Sequence, residues 1–324
     1  MSDWSGQGLP PAARARMERA HRSAVAGSLL TVKGQTGIEG CGFSVVGEVM
    51  GCIVEHIGWD GWGGCGYYGA YGGGGPFGGG GGPFGGGGAY NRGAPFGFSG
   101  QPQTVTSGGG SSYAGFSAYV QALYAGYDTA LVRMLTECRE LGGDGVVGVN
   151  LSVKSLGEDN REFLAYGTAV KAAGPVRPAN LFSTELPGQD VAKLLHAGWV
   201  PAGIVVGLSI AIRHDDWATL QQASTFAGNT EVSGYSELVH HVRVDARRQF
   251  ESRTAGYGAD GAILSNMNLD IWEREVAENH RDHVALASIT GTALGRFHAG
   301  TAAPTNTLKI LPLSGASNAR KRTR

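Results

Sequence analysis

The chain has 324 residues, of which 42% are hydrophobic, and this length supports two domains with buried cores. Its 26 basic and 27 acidic residues give a net charge of -1, which argues against a protein that coats nucleic acid. Neither a secretory leader nor an apolar run of about 18 residues occurs, so we expect a soluble, cytoplasmic protein without a membrane span.

The first elements follow a polar extension. Residues 1–27 have the composition of a polar, in part helical, N-terminal segment. Two strands are then expected, "LLTVKG" at 29–34 and "GFSVVGEVMG" at 42–51, because apolar and β-branched residues alternate with small ones.

The segment from about 61 to 112 is dominated by glycine and aromatic residues. Residues 72–88 alone hold 13 glycines, and such a stretch cannot offset its backbone entropy by burial. We therefore expect a flexible loop that projects from the surface. Four phenylalanines are candidate contacts for a protein partner: Phe77, Phe84, Phe96 and Phe98. The alternative is a low-complexity expansion without a partner.

Two long amphipathic helices are predicted. Apolar residues follow helical spacing from Tyr119 to Leu141 and again from Tyr235 to Phe250. A strand, "WVPAGIVVGLSIAI", precedes the second helix, and two further strands follow each helix as a hairpin. The hairpin strands are "VVGVNLSVKS" with "EFLAYGTAVK", and "AILSNMNLDIW" with "VALASITGTAL".

These elements occur twice because the chain contains an internal duplication. A shift of 116 positions places "LGGDGVVGVN" (141–150) on "YGADGAILSN" (257–266). Upstream, "GEVMG" and "GIVVG" match at a shift of 156, and downstream "YGTAVK" and "TGTALG" match at a shift of 124. The difference between the first two shifts assigns about 40 additional residues to the first copy.

The duplication sets the expected architecture, an α+β fold with two tandem two-layer domains. Each domain is an antiparallel sheet packed on one long helix, and the glycine-rich loop is inserted in the first. We assign the first copy to residues 28–174, a linker to 175–180, the second copy to 181–297 and a flexible basic tail to 298–324. A sheet with a helix on one face leaves its other face and its edges uncovered, which favours self-association.

An Asp-Gly turn follows each long helix at the same position of the repeat. A glycine in the left-handed conformation ends a helix, and Asp-Gly then directs the chain into a strand, so a turn role is favoured over catalysis for these acids. The turn residues are Gly142, Asp144 and Gly145 in the first copy, and Gly258, Asp260 and Gly261 in the second.

The motifs together resemble the YbjQ family, small bacterial proteins described as heavy-metal-binding. The resemblance is carried by "KGQTGIEGCGFSVVGEVMG", "LGGDGVVGVNLSV" and "GTAVK" in the first copy, and by "LFST", "SGYSEL", "GADGAI" and "SITGTAL" in the second. It implies a two-layer subunit that assembles into a pentameric ring. The charged residues that the family carries midway along the helix are matched only in part, by Tyr127-Asp128 and Arg243.

Metal ligands are sparse in the sequence. Structural zinc requires four Cys or His in close pairs, and Cys41, Cys52, Cys65 and Cys138 form no such pair and no disulfide framework. The candidate ligands for a divalent metal are His280, Asp282 and His283, with His214-Asp215-Asp216 and His240-His241 as further donors. The alternative for the first three is a solvated hairpin tip, and for Cys41 and Cys52 it is an ordinary buried thiol.

No catalytic or cofactor-binding motif stands out. "GWGGCG" (61–66) matches G-x-G-x-x-G formally, but no helix follows it to hold a pyrophosphate. A P-loop and a G-x-S-x-G elbow are absent. The basic tail residues Arg320, Lys321, Arg322 and Arg324 provide only weak, salt-sensitive attraction for nucleic acid or anionic lipid.

Three function hypotheses follow from these observations. The first is a non-enzymatic homo-oligomeric assembly protein without a cofactor, a homopentamer of about 168 kDa in which each ring contains one kind of copy. The second is heavy-metal binding or buffering by the assembled ring. The third, an enzyme with a pocket between subunits, has no residue in its favour.

Overall fold

The structure, a computed structural model, describes residues 8–23, 27–57, 105–106, 116–157, 159–175, 177–277 and 280–297. The predicted glycine-rich loop, apart from Val105–Thr106, and the basic tail lie outside these residues. No helix in the described part of the chain has an apolar stretch long enough to cross a bilayer.

The described elements form a mixed α+β fold with two sheets, as the sequence predicts. The first sheet has the strand order β1-β4-β3-β5 and the second has the order β2-β6-β8-β7. In chain order the elements are α1 (Pro11–Arg22), α2 (Val32–Gly40), β1 (Phe43–His56), β2 (Val105–Thr106), α3 (Phe116–Glu140), β3 (Gly145–Ser155), β4 (Asn160–Ala172), β5 (Phe182–Ser183), α4 (Gly188–His196), β6 (Trp199–His214), α5 (Trp217–Gln222), α6 (Ser233–Gly256), β7 (Gly261–Ala277) and β8 (His280–Arg296).

The strand expected from "LLTVKG" is wrong, because this segment leads into helix α2. The Thr31 side chain accepts a hydrogen bond from the Gly34 amide at 3.1 Å and caps the helix N-terminus. Val32 is 82% exposed, so its apolar side chain does not belong to a buried strand face. The second copy has the equivalent short helix, α4, at a shift of 156.

The duplication is visible in the packing of each long helix on the strand that precedes it. A Cβ added to Gly51 on β1 would lie 1.9 Å from the Ala130 carbonyl oxygen of α3. A Cβ added to Gly207 on β6 would lie 2.6 Å from the Ala246 carbonyl oxygen of α6. The two glycines are related by the shift of 156 and the two alanines by the shift of 116. Each helix therefore approaches the sheet backbone at the same point of the repeat.

Helix α3 lies between the two sheets. One core cluster contains buried residues of α3 together with residues of both sheets, among them Ile204, Val206 and Leu208 of β6. The alternating residues Val205 and Ala211 instead join the core of α6. The second sheet is therefore covered on both faces, and the layers run from the first sheet through α3 and the second sheet to α6.

The expectation of purely antiparallel sheets is wrong at one strand. β5 belongs to the second copy by sequence, but it pairs in parallel with β3 of the first copy, with Gly145 opposite Phe182 and Val146 opposite Ser183. The first sheet is thus completed by the second copy, and the two copies are joined by backbone hydrogen bonds as well as by side-chain packing.

Candidate functional site

The junction between the two copies combines backbone hydrogen bonds, a cation–π contact and an ion pair. We call it the intrachain interface; the first copy contributes α3 and β3, and the second copy contributes β5 and the α3-facing side of the second sheet. At its centre the Thr184 amide donates to the Val146 carbonyl at 3.0 Å, and the Val149 amide donates to the Thr184 carbonyl at 2.9 Å. These backbone bonds fix the register between the copies.

Gly145 makes this pairing possible. A Cβ at this position would lie 2.4 Å from the Phe182 ring, so only glycine admits the aromatic side chain. Phe182 is 8% exposed and packs in a small core with Ile38, Val147 and Val191. The first glycine after the Asp therefore has a packing role in addition to its place in the turn.

The α3 side of the intrachain interface carries a charged and aromatic group. The Tyr124 hydroxyl accepts a hydrogen bond from the Leu208 amide at 2.8 Å. The Arg253 guanidinium of α6 lies 4.3 Å from the centre of the Tyr124 ring and donates to the Asp128 carboxylate at 2.8 Å. Burial raises the pKa of Tyr124, which keeps its hydroxyl neutral at physiological pH.

Polar groups also meet across the strand side of the intrachain interface. The Ile204 amide donates to the Ser183 hydroxyl at 3.2 Å, and the hydroxyls of Thr184 and Thr292 lie 3.0 Å apart. Burial raises the pKa of Glu185, while hydrogen bonds from Ser265 and Thr290 oppose that shift. The buried hydroxyls of Ser183, Thr184 and Thr292 fix one arrangement of the copies better than apolar contact alone.

The two Asp-Gly turns have the same hydrogen bonds. The Asp144 carboxylate accepts from the Ala172 amide at 2.8 Å, and the Asp260 carboxylate accepts from the Arg296 amide at 2.8 Å. Gly142 and Gly258 have φ values of 75° and 64°, which favour glycine. Asp144 additionally forms an ion pair with Arg177. Each carboxylate thus ties the end of a helix to the last strand of its hairpin, which supports the turn role.

Of the metal candidates, His283 belongs to a polar network at one end of the second sheet. The His283 Nδ1 lies 3.0 Å from the Asp215 carboxylate, and its Nε2 lies 3.3 Å from the Glu273 carboxylate. The carboxylates occupy opposite sides of the ring, so they do not converge on one point. Asp282 is fully buried, and the side chain of His280 lies outside the described residues.

Among the residues that the structure describes, no three His, Cys, Asp or Glu side chains are grouped to hold a metal ion. His240 and His241 are neighbours on α6, with ring centres 6.0 Å apart, and both are exposed. The Cys41 thiol lies 3.6 Å from the His196 Nε2, a two-ligand pair across α2 and α4. Burial raises the pKa of Cys41 and Cys52, so both thiols are protonated at neutral pH.

A further buried contact was not predicted from the sequence. Glu137 of α3 is fully buried, accepts a hydrogen bond from the Met50 amide at 2.9 Å and forms an ion pair with Arg16 of α1. Arg133, one helical turn earlier, donates to the Cys52 carbonyl at 2.6 Å. These two side chains form hydrogen bonds with backbone groups on the outer edge of β1. Their spacing of four residues, which places them on one face of the helix, was the available signal.

Comparison with known proteins adds the family. Residues 107–173, which include α3, β3 and β4, match the YbjQ family model, described as "Putative heavy-metal-binding". These residues form a YbjQ-family domain. The matched segment holds the helix and hairpin of the first copy.

Three relatives show how far the similarity extends. An encapsulin nanocompartment protein of Mycobacterium tuberculosis is 31% identical over 153 residues, which are 44% of this chain and 57% of that protein. UPF0145 proteins of Halorubrum lacusprofundi and Fervidobacterium nodosum are 40% and 41% identical over 53 and 54 residues, 16% and 17% of this chain and 51% and 50% of theirs. The chain thus spans about half the length of these relatives.

Proposed function

We propose that the protein is a non-enzymatic, homo-oligomeric assembly protein built from two YbjQ-like two-layer domains in tandem. The observation that carries this proposal is the intrachain interface, where α3 lies between two sheets and β5 completes the sheet of the other copy. A surface of this kind is heterologous: each copy offers two different, complementary sides. The similarity to a protein named for a nanocompartment supports an assembly role.

The expected oligomer is measured directly by light scattering on the full chain over a range of concentrations. We expect a discrete mass that is a multiple of 33.6 kDa and does not change on moderate dilution. A stable species of 33.6 kDa at every concentration would refute the assembly function.

Deleting residues 72–98 is expected to leave both the oligomer mass and the cooperativity of unfolding unchanged. We propose that the glycine-aromatic segment is presented outward for a protein partner, and shortening a flexible connection changes its closure entropy by only about 1 kcal/mol. Light scattering and thermal unfolding of the deletion variant test this expectation. Aggregation, or conversion to a monomer, would show that the segment belongs to the packed structure.

Heavy-metal binding is the second candidate function, favoured by the family description and by the Cys41–His196 pair. Two ligands leave a soft metal incompletely coordinated, so binding would need further donors from another subunit or from water. Elemental analysis of the tag-free oligomer decides between the candidates. One metal per chain, lost in the Cys41→Ser variant, would establish the metal function.

A further inference from the structure

We infer that the second copy of one chain binds the first copy of another chain through the same surfaces that join the two copies within a chain. This inference rests on the proposed assembly function and names the partner, a second copy of this chain. The two copies then alternate along the assembly. Each half of the intrachain interface has an equivalent in the other copy, and these equivalents are half-buried or exposed where their counterparts are buried.

The strand half of this surface lies on β7. Its equivalents in the first copy, Val146 and Val147 on β3, are fully buried under β5. Among the described strands β7 is terminal in its sheet; Ala262 and Ile263, the equivalents of the two valines, are half-buried, and the next residue, Leu264, is 47% exposed. A long terminal strand with exposed apolar side chains is a template for pairing with another chain. The segment that begins at Gly27, the equivalent of Ser183, fits this edge from a neighbouring first copy.

The helix half lies on the outer face of α6. Four residues of α3 are buried in the intrachain interface, and their equivalents at a shift of 116 line an open groove between α6 and β7. The buried residues are Val120, Leu123, Tyr127 and Leu131; the groove residues are Ser236, Val239, Arg243 and Arg247. The positions that are all apolar in the covered first copy thus include two exposed arginines, Arg243 and Arg247, in the second.

The complementary half is already formed on the first copy. Gly27 lies against the Glu48 side chain, at 3.6 Å from an added Cβ, as Ser183 lies against the equivalent Ile204. The Leu29 amide donates to the Thr168 hydroxyl at 3.0 Å, close to where Thr184 meets the equivalent Thr292 in the second copy. The segment Gly27–Leu30 thus lies on its sheet as the segment that contains β5 lies on the other.

The exposed sheet face of the first copy carries acidic side chains that complement a basic helix. Glu48 and Glu162 lie on this face with one lysine, Lys154, whereas the equivalent face of the second copy presents Ile204 and Leu286 at the two glutamate positions. The arginines of α6, Arg243 and Arg247, supply the opposite charge. Electrostatic complementarity of this kind selects the partner and its orientation.

Alternation departs from the homopentamer of two single-copy rings expected from the sequence. The strand-accepting side of the first copy is occupied by the second copy of its own chain, so it is not available to another first copy. Every closed ring therefore contains an even number of domains, two for each chain, and a rotation that does not close gives a filament.

Engineered disulfides test the pairing directly, in a background in which Cys41, Cys52 and Cys65 are serine. Facing residues on adjacent strands are about 4.8 Å apart, within the Cα range of about 4.4–6.8 Å for a disulfide. Val146→Cys with Ser183→Cys is the matched control, because these residues face each other within one chain. The equivalent pair, Gly27→Cys with Ala262→Cys, is expected to crosslink different chains.

Non-reducing electrophoresis separates the outcomes. We expect a ladder of covalent multimers for the Gly27–Ala262 pair and a single-chain band for the Val146–Ser183 pair. Reduction is expected to convert the whole ladder to the single-chain band. Interchain crosslinks from Gly27 with Val146, or from Ser183 with Ala262, would instead show single-copy rings and overturn the inference. If light scattering shows an oligomer but the Gly27–Ala262 pair gives no ladder, only this inference is overturned. If light scattering shows a monomer, the proposed assembly function is refuted as well.

Discussion

Replacing Gly51 by alanine is expected to destabilise the chain by about 3 kcal/mol, because the added methyl group collides with helix backbone rather than with a movable side chain. Its Cβ would lie 1.9 Å from the Ala130 carbonyl oxygen and 2.6 Å from the Met134 amide nitrogen. The helix must therefore move away from β1, and α3 also contacts the second sheet. Chemical denaturation of the purified variant measures the loss as a shift of the unfolding midpoint.

Two further alanine variants provide unfolding midpoints with which this loss is compared. Gly207→Ala is expected to have a similar effect in the second copy, because its Cβ would lie 2.6 Å from the backbone of α6. Gly40→Ala is the control, since no atom lies within 4 Å of the added methyl group. If Gly51→Ala and Gly40→Ala unfold at the same denaturant concentration, the close approach of α3 to β1 is wrong.

Replacing Glu137 by alanine is expected to lower the free energy of unfolding by about 3 kcal/mol. The substitution leaves the buried Met50 amide without its acceptor and Arg16 without its counter-ion. It also releases α1 from the outer edge of β1. Denaturation monitored by circular dichroism measures the loss, and limited proteolysis after Arg16 reports the release of α1.

The control for this substitution is Glu18→Ala, whose ion pair with Arg22 is exposed and is expected to matter little. Burial raises the pKa of Glu137, although the Met50 amide and Arg16 oppose the shift. A raised folded-state pKa means that lowering the pH stabilises the wild type relative to Glu137→Gln, with the gain complete below the ordinary pKa of a glutamate. Equal stability of the Glu137→Ala and Glu18→Ala variants would contradict the buried role.

The duplicated elements could be predicted from the sequence because their signals are local. Helical spacing located α3 and α6 to within a few residues, and alternating hairpin strands located β3, β4, β7 and β8. The Asp-Gly turns were found because two equivalent positions carried the same residues, and a repeat doubles the signal of each turn.

The junction between the copies could not be predicted, since it depends on contacts between segments distant in sequence. Nothing in "LFST" distinguishes a strand that completes its own sheet from one that completes the sheet of the other copy. The apolar and β-branched residues of "LLTVKG" predict a strand where the chain forms the short helix α2, because the Thr31 cap decides its conformation. The role of Glu137 likewise appears only when α1, α3 and β1 meet.

Hydrogen–deuterium exchange of the native oligomer reports whether a second chain covers the edge of β7. The amides of Gly148 and Val149 on β3 donate to Leu186 and Thr184, and their equivalents on β7 are those of Leu264 and Ser265. With exchange resolved to single amides, we expect the amides of Leu264 and Ser265 to exchange as slowly as those of Gly148 and Val149. Exchange of both β7 amides at the rate of an uncovered sheet edge, while the β3 amides remain protected, would contradict it.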